Sequence, residues 1–330
     1  MTLRSAAVGI DVGGTGTRAG LVDMSGRLVE KIEALTDRSA ATKSTIQVAE
    51  QMAKRAEELG YVAVAVGIGA AGFVDVHRGS VTFSPNLIYD DPDLADAVAA
   101  RVQLPVMVDN DVNAHAWGER AVGAAKGANN VAVLVLGTGL GSGFIVNGRV
   151  LRGHSGAAAE FGHTVIEPGG APCGCGLRGC LEQYASGIAI SRMAIEALDE
   201  DPDSSILNFA GSREGVTAEH VGQAARELDE TARAVLRRAG RALGIGLSNI
   251  ANLFDPEVIV LSGGVIKAGE PLLGPARDTL VEMTELQRRR PIRLAVTTLG
   301  NDAGIIGAAA LAIDEMSPGG ADRDPRKEKG

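Results

Sequence analysis

The sequence predicts an α/β protein built as two similar halves. Three observations carry that expectation. Short runs of Val, Ile, Leu and Ala stop at Gly-, Thr- or Asp-containing turns, as buried strands do, and alternate with longer stretches of helical periodicity. The order strand, Gly/Thr turn, hairpin strands occurs twice, from Ala6 and again from Val131, which suggests a duplicated architecture. A length of 330 residues with 45% hydrophobic side chains supplies the core of one large or two medium domains. Aromatics are only 3%, so that core is aliphatic, and 44 glycines point to many tight turns.

In the first half, residues 6–10 form an apolar strand that stops at Asp11-Val12-Gly13-Gly14-Thr15-Gly16-Thr17. Residues 18–23 and 27–35 read as the next strands around Ser25-Gly26, and such short spacing makes antiparallel hairpins. Residues 39–59 carry helical spacing at Ile46, Ala49, Met52, Ala53, Ala56 and Leu59, with Gly60 as the stop. The strand 62–68 runs into Gly67-Ile68-Gly69-Ala70-Ala71-Gly72, a match to G-x-G-x-x-G. A dinucleotide site needs a helix to follow at once. Here Phe73-Val74-Asp75-Val76 alternates into a turn at His77-Arg78-Gly79, so the glycines are read as close backbone approach to a substrate. A helix at 93–102 and a buried strand at 106–108 lead to Asp109-Asn110-Asp111.

In the second half, the strand 131–136 ends in Gly137-Thr138-Gly139-Leu140-Gly141-Ser142-Gly143. Residues 144–146 and 149–151 flank Asn147-Gly148, a hairpin signal. A long helix at 231–253, a strand at 258–261 ending in Ser262-Gly263-Gly264, and a small-residue helix at 303–313 complete the pattern. Periodicity fades over 112–130, a candidate domain boundary, and the Pro-, Gly- and charge-rich stretch from Ser317 predicts a disordered tail. The net charge of −9 argues against a nucleic-acid partner. The basic runs Arg288–Arg290 and Arg233, Arg237, Arg238 and Arg241 read as solvated faces. No stretch reaches the ~18 apolar residues of a membrane span, and no secretory pattern opens the chain, so a cytoplasmic protein without a membrane partner is expected. All three cysteines lie between 173 and 180, which in a reducing compartment reads as metal or redox chemistry rather than a disulfide framework.

Four motifs carry chemistry. In Asp11-Val12-Gly13-Gly14-Thr15, glycine N–H groups can surround a phosphate, Thr15 can add a hydroxyl, and Asp11 can hold Mg²⁺. Gly137-Thr138-Gly139 repeats this after another strand, so the two turns are read as gripping one polyphosphate; each alone also reads as a plain turn. No G-x-x-x-x-G-K-[ST] is present. Asp109-Asn110-Asp111 has two readings: a strand-end carboxylate accepting a hydroxyl proton, or a turn with Asp111 or Asn113 capping a helix. The sharpest signal is Glu160-Phe161-Gly162-His163 followed by Cys173, Cys175 and Cys180, a Cys₃His set with the ligand count of a closed structural zinc site. The other histidines, His77, His115, His154 and His220, lack such company.

At these residues the sequence resembles the ROK family of bacterial sugar kinases and sugar-responsive repressors. The resemblance runs from Ala6 to Ile313 and rests on Asp11-Val-Gly-Gly-Thr, Pro85-Asn86-Leu87, Asn110-Asp111-Val-Asn113-Ala, Leu136-Gly-Thr-Gly, Glu160-x-Gly-His163 and Cys173-x-Cys-Gly-x-x-x-Cys180-Leu-Glu182. The stretch 182–187 is similar to the glucokinases of that family. The resemblance implies two actin-like (ribonuclease-H-like) domains with a central cleft: residues 1–115 plus about 300–316, and 116–299 with the zinc loop, followed by the tail 317–330. It implies Asp111 as general base, and Gly72, Asn86, Asn110, Glu160, His163 and Glu182 with Asp111 around the sugar. It places Asp11, Gly13, Gly14, Thr15, Gly137, Thr138, Gly139, Gly263 and Gly264 around ATP and Mg²⁺, with zinc on His163, Cys173, Cys175 and Cys180. It implies a homo-oligomer, dimer or tetramer. Two departures stand out: Gly16 where many members carry Lys, and Ile88-Tyr89 where glucokinases often place Pro or Trp.

The expected activity is transfer of the ATP γ-phosphoryl to the 6-hydroxyl of glucose. Mannose, allose, fructose or an N-acetylhexosamine is the alternative acceptor. A sugar-sensing regulator is the alternative class; only ten residues precede Asp11, too few for a helix-turn-helix.

Overall fold

The computed structural model describes residues 4–316. The expected tail at 317–330 lies outside the described residues. Contacts divide the chain into two units, one of Met1–Val131, Gly143–Ala159 and Thr297–Gly330, the other of Ala132–Ser142 and Glu160–Val296.

The first unit is built on a five-stranded sheet. Strands β1 (Arg4–Val12), β2 (Gly16–Asp23) and β3 (Leu28–Leu35) form the expected antiparallel meander. Helix α1 (Ala41–Glu58) then leads to β4 (Tyr61–Ala70), which lies parallel to β1. The short ribbon β5 (Phe73–Asp75) and β6 (Ser80–Phe83) precedes α2 (Leu94–Val102) and β7 (Val106–Asn110), and β7 lies parallel to β4. Helix α3 (Asp111–Ala121) occupies the stretch where periodicity fades.

Period-two alternation assigns the sheet's faces. Ala6, Val8, Ile10 and Val12 of β1 join Val48, Met52 and Val98 in one core cluster, while Ala7 joins Ile305, Ile306 and Ala309 in another. That second cluster belongs to α11 (Ala303–Met316), the small-residue helix read from sequence. Its backbone lies on the sheet so closely that a Cβ at Gly67 would stand 1.8 Å from the Ala308 carbonyl oxygen. A Cβ at Gly69 would stand 3.2 Å from the Asp111 Cα. These two glycines of the G-x-G-x-x-G stretch therefore admit helices, not the substrate expected for them.

The second sheet repeats the first. Strands β8 (Val131–Leu136), β9 (Leu140–Val146), β10 (Arg149–Val150), β11 (Val258–Ser262) and β12 (Arg293–Val296) are ordered β10-β9-β8-β11-β12, against β3-β2-β1-β4-β7 in the first. The duplicated strand–turn–hairpin pattern is thus a duplicated sheet order. Between β10 and β11 come α4 (Glu182–Ala185), α5 (Gly187–Ala197), α6 (Ile206–Ala210), α7 (Ala218–Arg226) and α8 (Glu230–Phe254); α9 (Glu270–Met283) and α10 (Glu285–Arg289) precede β12. No helix among the described residues is long and apolar enough to cross a membrane.

Candidate active site

In the first unit the candidate residues gather at the ends of three parallel strands. The register aligns Asp11 of β1 with Gly69 of β4 and Asp109 of β7, then Val12 with Ala70 and Asn110. Functional groups at the carboxyl ends of parallel strands are the common arrangement in α/β proteins. Asp109 is buried and holds the corner together: Arg152 donates to its Oδ2 through Nε (2.8 Å) and Nη2 (2.6 Å), and Asn113 Nδ2 donates to its Oδ1 (2.9 Å).

Neither Asp111 nor Asn113 caps α3. Asn110 does, its Oδ1 accepting from the Val112 and Asn113 amides (2.9 and 3.1 Å), while its Nδ2 donates to the Gly72 carbonyl (3.1 Å). Asn110 has β conformation and a side-chain acceptor within reach of the amides two and three residues ahead, the standard requirement of the cap. Asp111 then falls in the first turn, where the helix dipole favours a negative charge.

Asp11 pairs with Arg18 at 2.7 Å. Burial pushes its carboxyl above the usual range, and Arg18 opposes that shift. The adjoining Gly13–Thr15 turn is fixed by its carbonyls: Thr36 Oγ1 donates to Gly13 (2.8 Å), Arg38 Nε to Gly14 (2.8 Å) and the Thr36 amide to Thr15 (3.2 Å). Asn86 is exposed in the loop after β6. That loop is pinned by Ile88, whose amide donates to the Arg38 carbonyl (2.8 Å), and by the Tyr89 hydroxyl on the Ala71 carbonyl (3.4 Å). Burial and the Asp111 carboxylate push the Tyr89 phenol upward.

In the second unit the ligand atoms of His163, Cys173, Cys175 and Cys180 lie within 4.8 Å of one another. His163 Nδ1 stands 3.6 Å from Cys173 Sγ, and Cys175 Sγ stands 3.7 Å from Cys180 Sγ. Thiolates at about 2.3 Å from a tetrahedral zinc are about 3.8 Å apart, so the set has the dimensions of one zinc site. Nδ1 of His163 faces Cys173, so Nε2 is the ring nitrogen outside the ligand set. Glu160 precedes a single helical turn (Phe161–His163) and accepts the His163 amide through its carbonyl (3.1 Å). Partial burial raises the Glu160 carboxyl above the usual range; His163 offsets part of this and the Glu182 carboxylate adds to it. Glu182 opens α4 directly after Cys180-Leu181, and its Oε2 accepts from the Leu140 amide (2.9 Å). Glu160, His163 and Glu182 are thus brought together around the cysteines.

A cavity of about 890 Å³ opens at the Gly137-Thr138 turn, within the roughly 300–1,000 Å³ of small-molecule sites. Gly137, Thr138 and Gly264 line it, with Ser191 of α5 and Gly222 of α7 on its walls. Gly139 turns instead toward Glu182, and Gly263 sits behind the wall with φ +95°, its Cα packed on Leu136.

The sequence model of the ROK family matches residues 7–315. The chain belongs to the ROK family. This ROK protein is 40% identical to a glucokinase of Streptomyces coelicolor over 309 residues, which is 92% of this chain and 96% of the relative. It is 30% identical to the xylose repressor of Bacillus subtilis over 313 residues, 94% of this chain and 77% of the relative. Among solved structures it matches a ROK family glucokinase from Streptomyces griseus, in complex with glucose and AMPPNP, at 40% identity and TM-score 0.80, covering 93% of this chain and 99% of that one. The two α/β units are actin-like, as the family resemblance implied.

Sequence reading of this ROK chain missed Arg38, and it singled out Tyr89 and Leu140 without their contacts to Ala71 and Glu182. Nothing in the local sequence announces them, because each meets its partner only after the chain returns through a hairpin or loop. The cavity walls α5 and α7 were also not read from the sequence, although both carry helical spacing, Ala189, Ile190, Met193 and Ala194 being buried in one and Val221, Ala224 and Ala225 in the other.

Proposed function

We propose that this chain is an ATP-dependent hexose kinase that transfers the γ-phosphoryl of Mg-ATP to the 6-hydroxyl of glucose. The observation that carries this is the pairing of a cysteine-anchored carboxylate cluster (Glu160, His163, Glu182) with a Gly-Thr-Gly turn that opens on a nucleotide-sized cavity, in a chain 40% identical to a glucose- and AMPPNP-binding glucokinase.

Asp111 is the general base. Held in the first turn of α3, it takes the proton of the 6-hydroxyl as that oxygen attacks the γ-phosphorus in line. The base need only be hydrogen-bonded to the hydroxyl it deprotonates, and the Asn110 cap keeps it at the strand edge beside Gly72. Glu160, Glu182 and His163 Nε2 bind the ring hydroxyls, joined by Asn86, Asn110 and the Gly72 backbone. Gly13, Gly14, Thr15, Gly137, Thr138 and Gly139 receive the phosphates, and Gly263 and Gly264 lie toward the adenine. Mg²⁺, held on the side of Asp11, supplies charge neutralisation for the polyphosphate. Zinc on His163, Cys173, Cys175 and Cys180 supplies rigidity to the loop that carries Glu160. The working form is a cytoplasmic homo-oligomer, dimer or tetramer, with sugar and nucleotide as its partners and neither nucleic acid nor membrane among them.

A coupled assay across glucose, mannose, allose, fructose and N-acetylhexosamines, with ATP and polyphosphate as donors, tests the reading. Glucose with ATP is expected to give the highest kcat/KM. A higher value for another hexose replaces glucose as the substrate; sugar binding with no turnover on any donor replaces the kinase with a sugar-responsive regulator, the class of the xylose repressor relative.

A further inference from the structure

The carboxylate of Glu182, two residues after Cys180, meets the nucleotide turn. Its Oε2 accepts from the Leu140 amide at 2.9 Å, and Leu140 directly follows Gly137-Thr138-Gly139. Gly139 is shaped around that oxygen: a Cβ there would stand 2.5 Å from Glu182 Oε2 and 3.4 Å from its Cδ, and would meet nothing else within 4 Å. The segment bearing Glu182 is clamped at both ends. On one side Leu181 donates its amide to Thr164 (2.9 Å), next to the zinc ligand His163. On the other, the first amides of α5 donate back to the turn, Gly187 to the Gly137 carbonyl (2.8 Å) and Ile188 to the Thr138 carbonyl (3.3 Å). Oε1 of Glu182 meets no donor among the described residues.

We infer that Glu182 is a positioning residue that joins the sugar half-site to the nucleotide turn, Oε2 bracing Leu140 while Oε1 accepts a sugar hydroxyl. The inference rests on the glucose-kinase reading and adds a coupling to it. A carboxylate fixed by a charge-assisted bond at one oxygen is already aimed for a hydroxyl at the other. Filling Oε1 with sugar in turn immobilises the carboxylate, and with it the amides of the turn that are to receive the phosphates. Linkage makes the effect reciprocal: if sugar on Oε1 raises the affinity of the turn for nucleotide, nucleotide raises the affinity for sugar by the same factor.

Gly139→Ala tests this from the nucleotide side. The backbone there is not left-handed, and the atoms an added Cβ meets are the Glu182 carboxylate, so alanine displaces that group from Leu140. Glucose binding is measured by calorimetry with no nucleotide present. The expected result is a glucose Kd raised by about tenfold or more, the scale of losing one hydrogen bond to a charged group. Glu182→Ala tests it from the other side: AMPPNP affinity without sugar is expected to fall by a similar factor, with partial recovery in Glu182→Gln, whose amide oxygen can still accept from Leu140. An unchanged glucose Kd in Gly139→Ala, or an unchanged AMPPNP Kd in Glu182→Ala, overturns the inference while leaving the kinase reading intact. Failure of the wild-type protein to phosphorylate glucose is the separate outcome that removes the reading beneath it.

Discussion

The two clusters of polar residues are held by different means. Around Asp111 the positions are set by regular structure: three parallel strands in register and one helix with a side-chain cap. Around Glu160 and His163 the chain from Leu151 to Leu181 has one helical turn and two isolated bridges, Val165 with Cys180 and Pro172 with Arg178. Ladder hydrogen bonds, the Asn110 cap and the Arg152–Asp109 pair fix the first cluster. The second lacks a ladder, and three cysteine sulfurs and one imidazole converge where the ladder is missing. A site residue on a strand end can therefore be changed without moving its neighbours, whereas one in the loop stands or falls with the cross-link that orders it.

The largest effect should come from Asp111→Asn. The amide cannot accept the proton, and general-base contributions are roughly 10²–10⁴-fold. The regular frame should survive, so turnover should collapse while glucose Kd and thermal midpoint stay near wild type. Retention of more than about half of wild-type kcat removes Asp111 from the role of base.

The loop should respond as a body. Cys175→Ser replaces a soft thiolate with a weak ligand. Metal content, glucose affinity and thermal stability should fall together, with glucose Kd rising by roughly 10–100-fold if the ligand set orders the loop. Metal analysis by mass spectrometry and calorimetry on the same preparation decide this. Full glucose affinity in zinc-free protein breaks the contrast, because the loop would then order itself.

The sequence disclosed the first cluster's frame more fully than its details. Apolar runs located β1, β4, β7, β8 and β11, since a buried parallel strand has both faces covered and reads as a continuous hydrophobic stretch. The same logic failed for β12, only four residues long and half-exposed. It also could not assign the α3 cap, because Asn110, Asp111 and Asn113 are all capable and only backbone geometry chooses among them. In the loop the balance reverses. No periodicity predicts its path, yet the Cys₃His set was legible outright, because ligand chemistry depends on residue type more than on conformation. What no local pattern could disclose were contacts made by chain return, such as Leu140 on Glu182 and Arg38 on Gly14.

Glu160→Gln separates binding from catalysis within the loop. A neutral amide accepts less strongly than a carboxylate, and hydrogen bonds to charged groups contribute roughly 1.5–3 kcal/mol, or about 10–150-fold in affinity. Glucose KM should rise on that scale with ATP KM little changed, because among the described residues the side-chain hydrogen bond to the Gly137–Leu140 turn comes from Glu182, not Glu160. An equal rise in both constants, or an unchanged glucose KM, takes Glu160 out of the sugar site.

The smallest effects compare one helix cap in each unit. Asn110 caps α3 with an amide, and Asp229 caps α8 with a carboxylate that accepts from the Ala232 amide (2.8 Å), the Ser205 amide (2.7 Å) and the Ser204 hydroxyl (2.9 Å). Burial pushes the Asp229 carboxyl up, but these hydrogen bonds outweigh it and hold the group below its usual value. A depressed folded value means the ionised cap contributes stability above the unfolded carboxylate value of about 3.9, and that contribution is lost as pH falls through the folded value. Removing either cap should cost about 1 kcal/mol at pH 7. For Asp229→Ala the loss of thermal midpoint relative to wild type should narrow once pH falls from 7 to below about 3.9, because the unfolded carboxyl then takes up a proton that the folded cap resists. For Asn110→Ala it should not narrow, because an amide does not titrate. Calorimetry of both variants at both pH values gives the comparison, and equal narrowing would mean that groups other than the Asp229 cap govern the acid side of the stability profile.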